Sequence, residues 1–199
     1  MTSCSSLPNR YKGSDYVNLH TDKKLFGLLN TVSFLIGVIM IFLGWLWRSF
    51  EPLLELLRLG LGSYGLWLLF LAAGVLIHLA VHQFLHGFLM QRFSGLPSYY
   101  GRKGLVLKYA GNQGYFCRRH YLMIAIAPVV FSGIILGALT ILFGGAWFWL
   151  FFCLQIFNFG SAVGDFYLFG KAFRSPQNAL FHDDGFGLAI FTEETEESE

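Results

Sequence analysis

The sequence predicts an all-α membrane protein, with about four transmembrane helices and a short cytoplasmic β-rich loop between the second and third. Three observations carry that expectation. Only 13% of the 199 residues are charged, against about a quarter in an ordinary soluble domain. Aromatic residues make up 18% of the chain, with 22 Phe, which places it in the membrane class by composition. The apolar residues also gather into four runs of about the 20 residues that a bilayer-crossing helix needs.

Taken in order, residues 1–24 form a polar N-terminal tail, and no cleavable signal peptide is expected because the first apolar run is too long for one. Residues 25–191 read as a single membrane-embedded domain. Its spans are expected at 25–47, 64–90, 121–143 and 146–170, the last two separated by only two glycines and so forming a tight antiparallel pair. Between the first two spans, "EPLLELLRLGLGS" (51–63) places Glu51, Glu55 and Arg58 on one side, the pattern of a helix lying in the membrane interface. The 91–120 loop contains "SYYGRKGLVLKYAGNQGYF", whose alternation and regular glycines predict two or three short strands turning at "GRKG" and "GNQG". Residues 192–199 are expected to be an acidic, disordered tail.

Charge sets the expected orientation. With a cytoplasmic N-terminus, the inner segments carry Arg10, Lys12, Lys23, Lys24, Arg92, Arg102, Lys103, Lys108, Arg118, Arg119, Lys171 and Arg174, leaving Arg48 and Arg58 outside. Basic residues accumulate on the cytoplasmic side of membrane proteins, so both termini are expected there. The net charge of +2 is too small to suggest nucleic acid. Cys4, Cys117 and Cys153 lack paired spacing and read as free thiols.

The chemistry lies in the polar residues that interrupt the spans. In "IHLAVHQFLHGFLM" (77–90), His78, His82 and His86 recur every four residues. Positions i and i+4 share a helix face, so His82 and His86 can present two imidazoles to one Zn2+. Asp165 in "SAVGDFYLFG" is the only acidic residue in the four spans and the candidate third ligand. Depth agrees: His86 precedes Arg92 by six residues and Asp165 precedes Lys171 by six, about 9 Å from each helix end at ~1.5 Å per residue. The plain alternative is interhelical hydrogen bonding, and His78, one turn deeper, fits that role or one supporting the ligands. Ionisable residues inside a bilayer cost several kcal/mol and mark functional sites by default.

"HQFLHG" resembles the H-E-x-x-H helix motif of zinc peptidases. With "YLMIAIAPVV" (121–130), "GSAVGDFYLF" (160–169) and "FHDDGFGLAIF" (181–191), the chain resembles the bacterial membrane family called putative zincin peptidases, itself distantly similar to site-2 intramembrane proteases. The resemblance implies zinc on His82, His86 and Asp165 near the cytoplasmic face, and hydrolysis of peptide bonds in a membrane-protein or peptide substrate. It also implies that Asn158 contacts substrate or oxyanion, although its spacing from Asp165 differs from the related pattern. An interhelical hydrogen bond is the alternative for Asn158. A free edge within 97–117 would suit an extended substrate strand.

One position departs from the motif: Gln83 stands where the general-base glutamate belongs. A neutral amide cannot take and return a proton, which costs about 100- to 10,000-fold in rate. Either an engineered substrate trap or a naturally altered member fits. Two other functions compete with a crippled protease. A catalytically inactive adaptor could bind membrane proteins through the same groove, or a bundle could use its histidines for haem or metal transport. Haem fits poorly, because paired axial imidazoles approach from opposite sides whereas His82 and His86 share one face.

Overall fold

The computed structural model describes residues 3–19, 21–103 and 106–194, with the main chain alone at 102–103 and 106–108. It is mostly helical. Three helices are long and apolar enough to cross a membrane, or four if a bent pair counts as one span. The chain divides into two compact units, one of Met1–Phe26, Gln83–Pro128 and Gly164–Glu199, the other of Gly27–His82 and Val129–Val163.

The second unit is built from helices. Helix α1 (Lys23–Trp47) has no buried residue in its most apolar window, and Phe34, Ile39 and Leu46 are exposed. A face that apolar suits lipid, where a helix satisfies its own backbone hydrogen bonds. The amphipathic stretch folds as α2 (Glu51–Arg58), closed by an Arg58–Glu51 ion pair of 2.8 Å. It is shorter than the expected 51–63, because Gly60 takes φ +119° and starts a new helix at Leu61. Only glycine adopts that conformation without strain. The core of this unit gathers Trp67, Leu136, Phe148, Trp149 and Phe152, with the Trp67 and Trp149 indoles donating to the Ala146 and Ser49 carbonyls.

Helix α3 (Leu61–Ser94) runs 34 residues without a breaker, about 51 Å at ~1.5 Å per residue. A hydrocarbon core is only about 30 Å thick, so α3 outruns the 64–90 span expected of it. Helix α4 (Arg118–Leu142) keeps Pro128 inside it. The expected continuous span at 146–170 is instead two helices, α5 (Gly145–Ser161) and α6 (Val163–Arg174), bent by 43°. The break falls after a Gly-Ser pair, where the Ser161 hydroxyl donates to the Asn158 carbonyl at 3.2 Å. Such side-chain back-bonding loosens the helical ladder and bends it.

The first unit contains the strands. A four-stranded antiparallel sheet has the order β1 (Tyr11–Val17), β6 (Leu188–Glu193), β5 (Leu180–Asp183), β4 (Phe116–Cys117). The all-α expectation missed it. The polar N-terminal stretch supplies an edge strand, and the segment expected to be a disordered tail from 192 begins as strand, with Tyr11 opposite Glu193 and Lys12 opposite Thr192. Charge explains the pairing: Arg10 bridges Glu193 at 2.9 Å and Lys12 bridges Glu194. Residues 195–199 lie outside the described part. The β-rich loop is as expected, with β2 (Ser98–Lys103) paired to β3 (Val106–Asn112), although the "GRKG" turn falls partly outside the described residues. The "GNQG" turn is closed by Gly114 N–H donating to Asn112 Oδ1 at 2.8 Å. Under the sheet, Met90, Phe116, Tyr121, Ile124, Phe181 and Leu188 form the core. The three cysteines are free, as expected.

Candidate metal centre

His82 and His86 occupy successive turns of α3, and both are buried, with 6% and 8% of their surface exposed. Asp165 lies in the first turn of α6, directly after the bend. The break therefore does something that a continuous span would not. It gives the aspartate a helix N-terminus, whose unpaired N–H groups favour a negative side chain. One ligand atom from each of His82, His86 and Asp165 lies within 4.8 Å of the others. His86 Nε2 and Asp165 Oδ1 are 3.4 Å apart. Two atoms each about 2.1 Å from a tetrahedral zinc would themselves be about 3.4 Å apart. The imidazole and carboxylate donor set and its spacing fit a zinc ion.

The His86 ring is held from a second side. It hydrogen-bonds the main-chain carbonyl of Ile124 on α4. Beyond it lies Asp183 at the end of β5, whose Oδ2 accepts from the Tyr121 hydroxyl at 3.0 Å and whose Oδ1 accepts from Gly185 N–H at 2.9 Å. Burial holds the Asp183 carboxyl above the ordinary carboxylate range, and the Gly185 N–H, His86 and the Tyr121 hydroxyl pull it partly back. Asp184, its neighbour, lies just past the end of β5. Asp184 Oδ1 accepts from Phe186 and Gly187 N–H and so closes the turn. The "HDDGFG" stretch thus supplies one inward carboxylate and one turn-forming carboxylate. Sequence reasoning left both in the C-terminal segment without a role.

The loop hairpin docks beside the same helix. Ser98 Oγ donates to the Gly87 carbonyl at 2.7 Å and the Tyr100 hydroxyl donates to the Phe84 carbonyl at 3.4 Å. A Cβ at Gly87 would overlap the Tyr100 phenol, so the glycine after the second histidine is a contact surface.

Gln83 follows His82 on α3 and is half-buried. Asn158 is fully buried on α5 and lies outside the metal group. Its Nδ2 donates to the Val129 carbonyl of α4 at 3.1 Å, the interhelical bond weighed above, while its Oδ1 has no hydrogen-bond partner among the described residues. His78 is buried beside the Phe157 ring, with centroids 5.6 Å apart, and it too lies outside the metal group. The structure therefore brings His82, His86 and Asp165 together, sets the His78 ring against that of His82 with centroids 5.7 Å apart, and leaves Asn158 outside the group.

Residues 75–180 match the model of a family described as "Putative zincin peptidase", just over half of the 199 residues. The match takes in His82, Gln83, His86, Asn158 and Asp165, and stops short of Asp183. No curated protein and no solved structure matches the chain.

Proposed function

The chain belongs to this zincin peptidase family, and we propose that it is a membrane-embedded zinc metalloprotease-like protein that binds peptide segments of membrane proteins near the cytoplasmic face. The observation that carries this reading is the convergence of His82, His86 and Asp165, from two separate helices, on one metal-sized space. A zinc ion held there would act as a Lewis acid on a peptide carbonyl and bring the pKa of its water to about 7.

The chain's own residues do the rest. Asp165 adds a negative charge to two neutral imidazoles, which favours a divalent cation. Gln83 can orient a water or a peptide group by donating and accepting hydrogen bonds, but it cannot carry a proton from one to the other. Asn158 offers its buried carboxamide oxygen to a substrate N–H. The two-stranded sheet β2–β3 has edges without strand partners among the described residues, suited to pairing with an extended substrate. The basic bias supports cytoplasmic termini.

Gln83 itself favours a second reading, an inactive relative that binds membrane proteins as an adaptor. The Gln83→Glu substitution separates the two. Cleavage of co-expressed single-span proteins that rises about 100-fold or more with the glutamate supports the protease reading. Silence in the presence of bound zinc overturns it in favour of the adaptor.

A further inference from the structure

Within the second unit, where α1 gives way to α2, lies a cavity of about 150 Å3 that shares no residue with the metal group. Its floor is aromatic, formed by Phe148 and Trp149 of α5, which are 1% and 2% exposed. Its rim is open, with Arg48, Ser49 and Gly145 exposed. The loop that carries Arg48 is pinned to α5: the Trp149 indole donates to the Ser49 carbonyl at 2.8 Å, and its ring stacks on Phe50 with centroids 4.4 Å apart. Charge distinguishes the two arginines at this end of the unit. Arg58 pairs with Glu51 at 2.8 Å. Arg48 makes no ion pair among the described residues, and its guanidinium lies over the Phe148 ring, 5.9 Å from the centroid. No carboxylate lines the cavity to answer it.

We propose that this cavity binds the phosphate of an anionic phospholipid headgroup, with Arg48 as its two-pronged donor, the Ser49 hydroxyl as a second donor, and Phe148 and Trp149 as an apolar floor. Depth supports a lipid. Arg48 follows directly on the last residue of α1, a helix long and apolar enough to cross a membrane, so its guanidinium falls where headgroups lie. A guanidinium presents a rigid fork that matches two phosphate oxygens, and such charge-assisted pairs are the strong ones. The lining also selects the headgroup. A choline headgroup brings an ammonium that needs an acid or an open aromatic face. The cavity has no acid, the Phe148 ring is taken by Arg48 and Phe152, and the Trp149 ring carries Phe50. A glycerol headgroup brings the phosphate charge alone. The site rests on α1 spanning the bilayer and does not depend on zinc.

The test titrates phosphatidylglycerol or phosphatidylcholine into the full-length protein in detergent and counts bound lipid by native mass spectrometry, with inorganic phosphate as a competitor. The wild type is expected to hold phosphatidylglycerol more tightly than phosphatidylcholine, and inorganic phosphate at the same concentration should not displace it. Arg48→Ala should weaken phosphatidylglycerol binding about 10- to 100-fold, the loss of a charged hydrogen-bond pair. Arg48→Lys keeps the charge without the fork and should fall between the two. Lys24→Ala, which removes one exposed positive charge near the start of α1, should bind as the wild type does. A wild type without preference between the two lipids overturns the proposal whether or not any variant folds. Unchanged binding in Arg48→Ala, or an equal loss in Lys24→Ala, overturns it too, the latter by showing surface charge alone. Displacement by inorganic phosphate at equal concentration overturns the lipid in favour of a free anion.

Discussion

His86 Nε2 stands 3.4 Å from Asp165 Oδ1, across two helices that are far apart in sequence. That separation is long for a charge-assisted hydrogen bond, which runs about 2.7–2.9 Å, and equals the expected edge of a tetrahedral zinc site. The two interpretations diverge on removal of the carboxylate. If the pair is only an ion pair, Asp165→Ala leaves a chain with little metal in either form. As a zinc site, the purified wild type carries about one zinc per chain, and Asp165→Ala or His82→Ala carries nearly none, read by elemental analysis. Equal zinc in wild type and both variants would remove the site.

Gly87 gives a prediction about the hairpin. A methyl group there meets the Tyr100 phenol, and overpacking of this kind costs about 1–3 kcal/mol. Gly87→Ala should lower thermal stability and weaken zinc binding, since the residue adjoins His86. In a Tyr100→Ala background most of that loss should vanish, because the clashing group has gone. An undiminished effect in the double variant would place the cost elsewhere.

Much of this was legible in the sequence because bilayers impose length and charge rules. The helices at 23–47, 61–94 and 118–142 follow from apolar run length, and the His82, His86 and Asp165 group from spacing and from a lone aspartate among apolar residues. Two things were not legible. The bend before Asp165 depends on a Ser161 hydroxyl turning back onto its own helix, and hydropathy does not register that. The four-stranded sheet joins residue 11 to residue 193, and only cross-chain charge complementarity between Arg10, Lys12 and the terminal glutamates hinted at it.

The sheet is tied to α6 by Asp15 of β1 and Lys171, 2.8 Å apart. The Lys171 hydrogen bond is the chief reason the Asp15 carboxyl lies below its ordinary value. A depressed folded value means that the contribution is present above the ordinary carboxylate pKa of about 3.9 and fades as pH falls through the lower folded value. The side chains are 45% and 38% exposed, so solvent screening limits the pair to about 1 kcal/mol or less. Asp15→Asn should therefore melt slightly below wild type at pH 7, and the gap should close in strong acid or in high salt. A gap that persists at both would mean that packing, not charge, links β1 to α6.

Asp183 and Tyr121 allow stability and metal affinity to be separated. Tyr121→Phe deletes the hydroxyl that satisfies Asp183 Oδ2 and leaves a buried carboxyl with an unmet acceptor, which should destabilise the fold by about 1–3 kcal/mol. Asp183→Asn is different. The amide can still accept from Gly185 N–H through its oxygen and donate to the Tyr121 oxygen through its nitrogen, so both contacts survive in altered polarity. Burial already disfavours charge on Asp183, and the neutral amide should keep stability within about 1 kcal/mol of wild type. What it removes is a negative field acting on His86. If that field supports a cation, Asp183→Asn should bind zinc on the order of 10-fold more weakly while melting almost as the wild type does. Should the two variants instead lose stability and zinc in step, Asp183 would be a structural carboxyl whose nearness to the ligands has no chemical consequence.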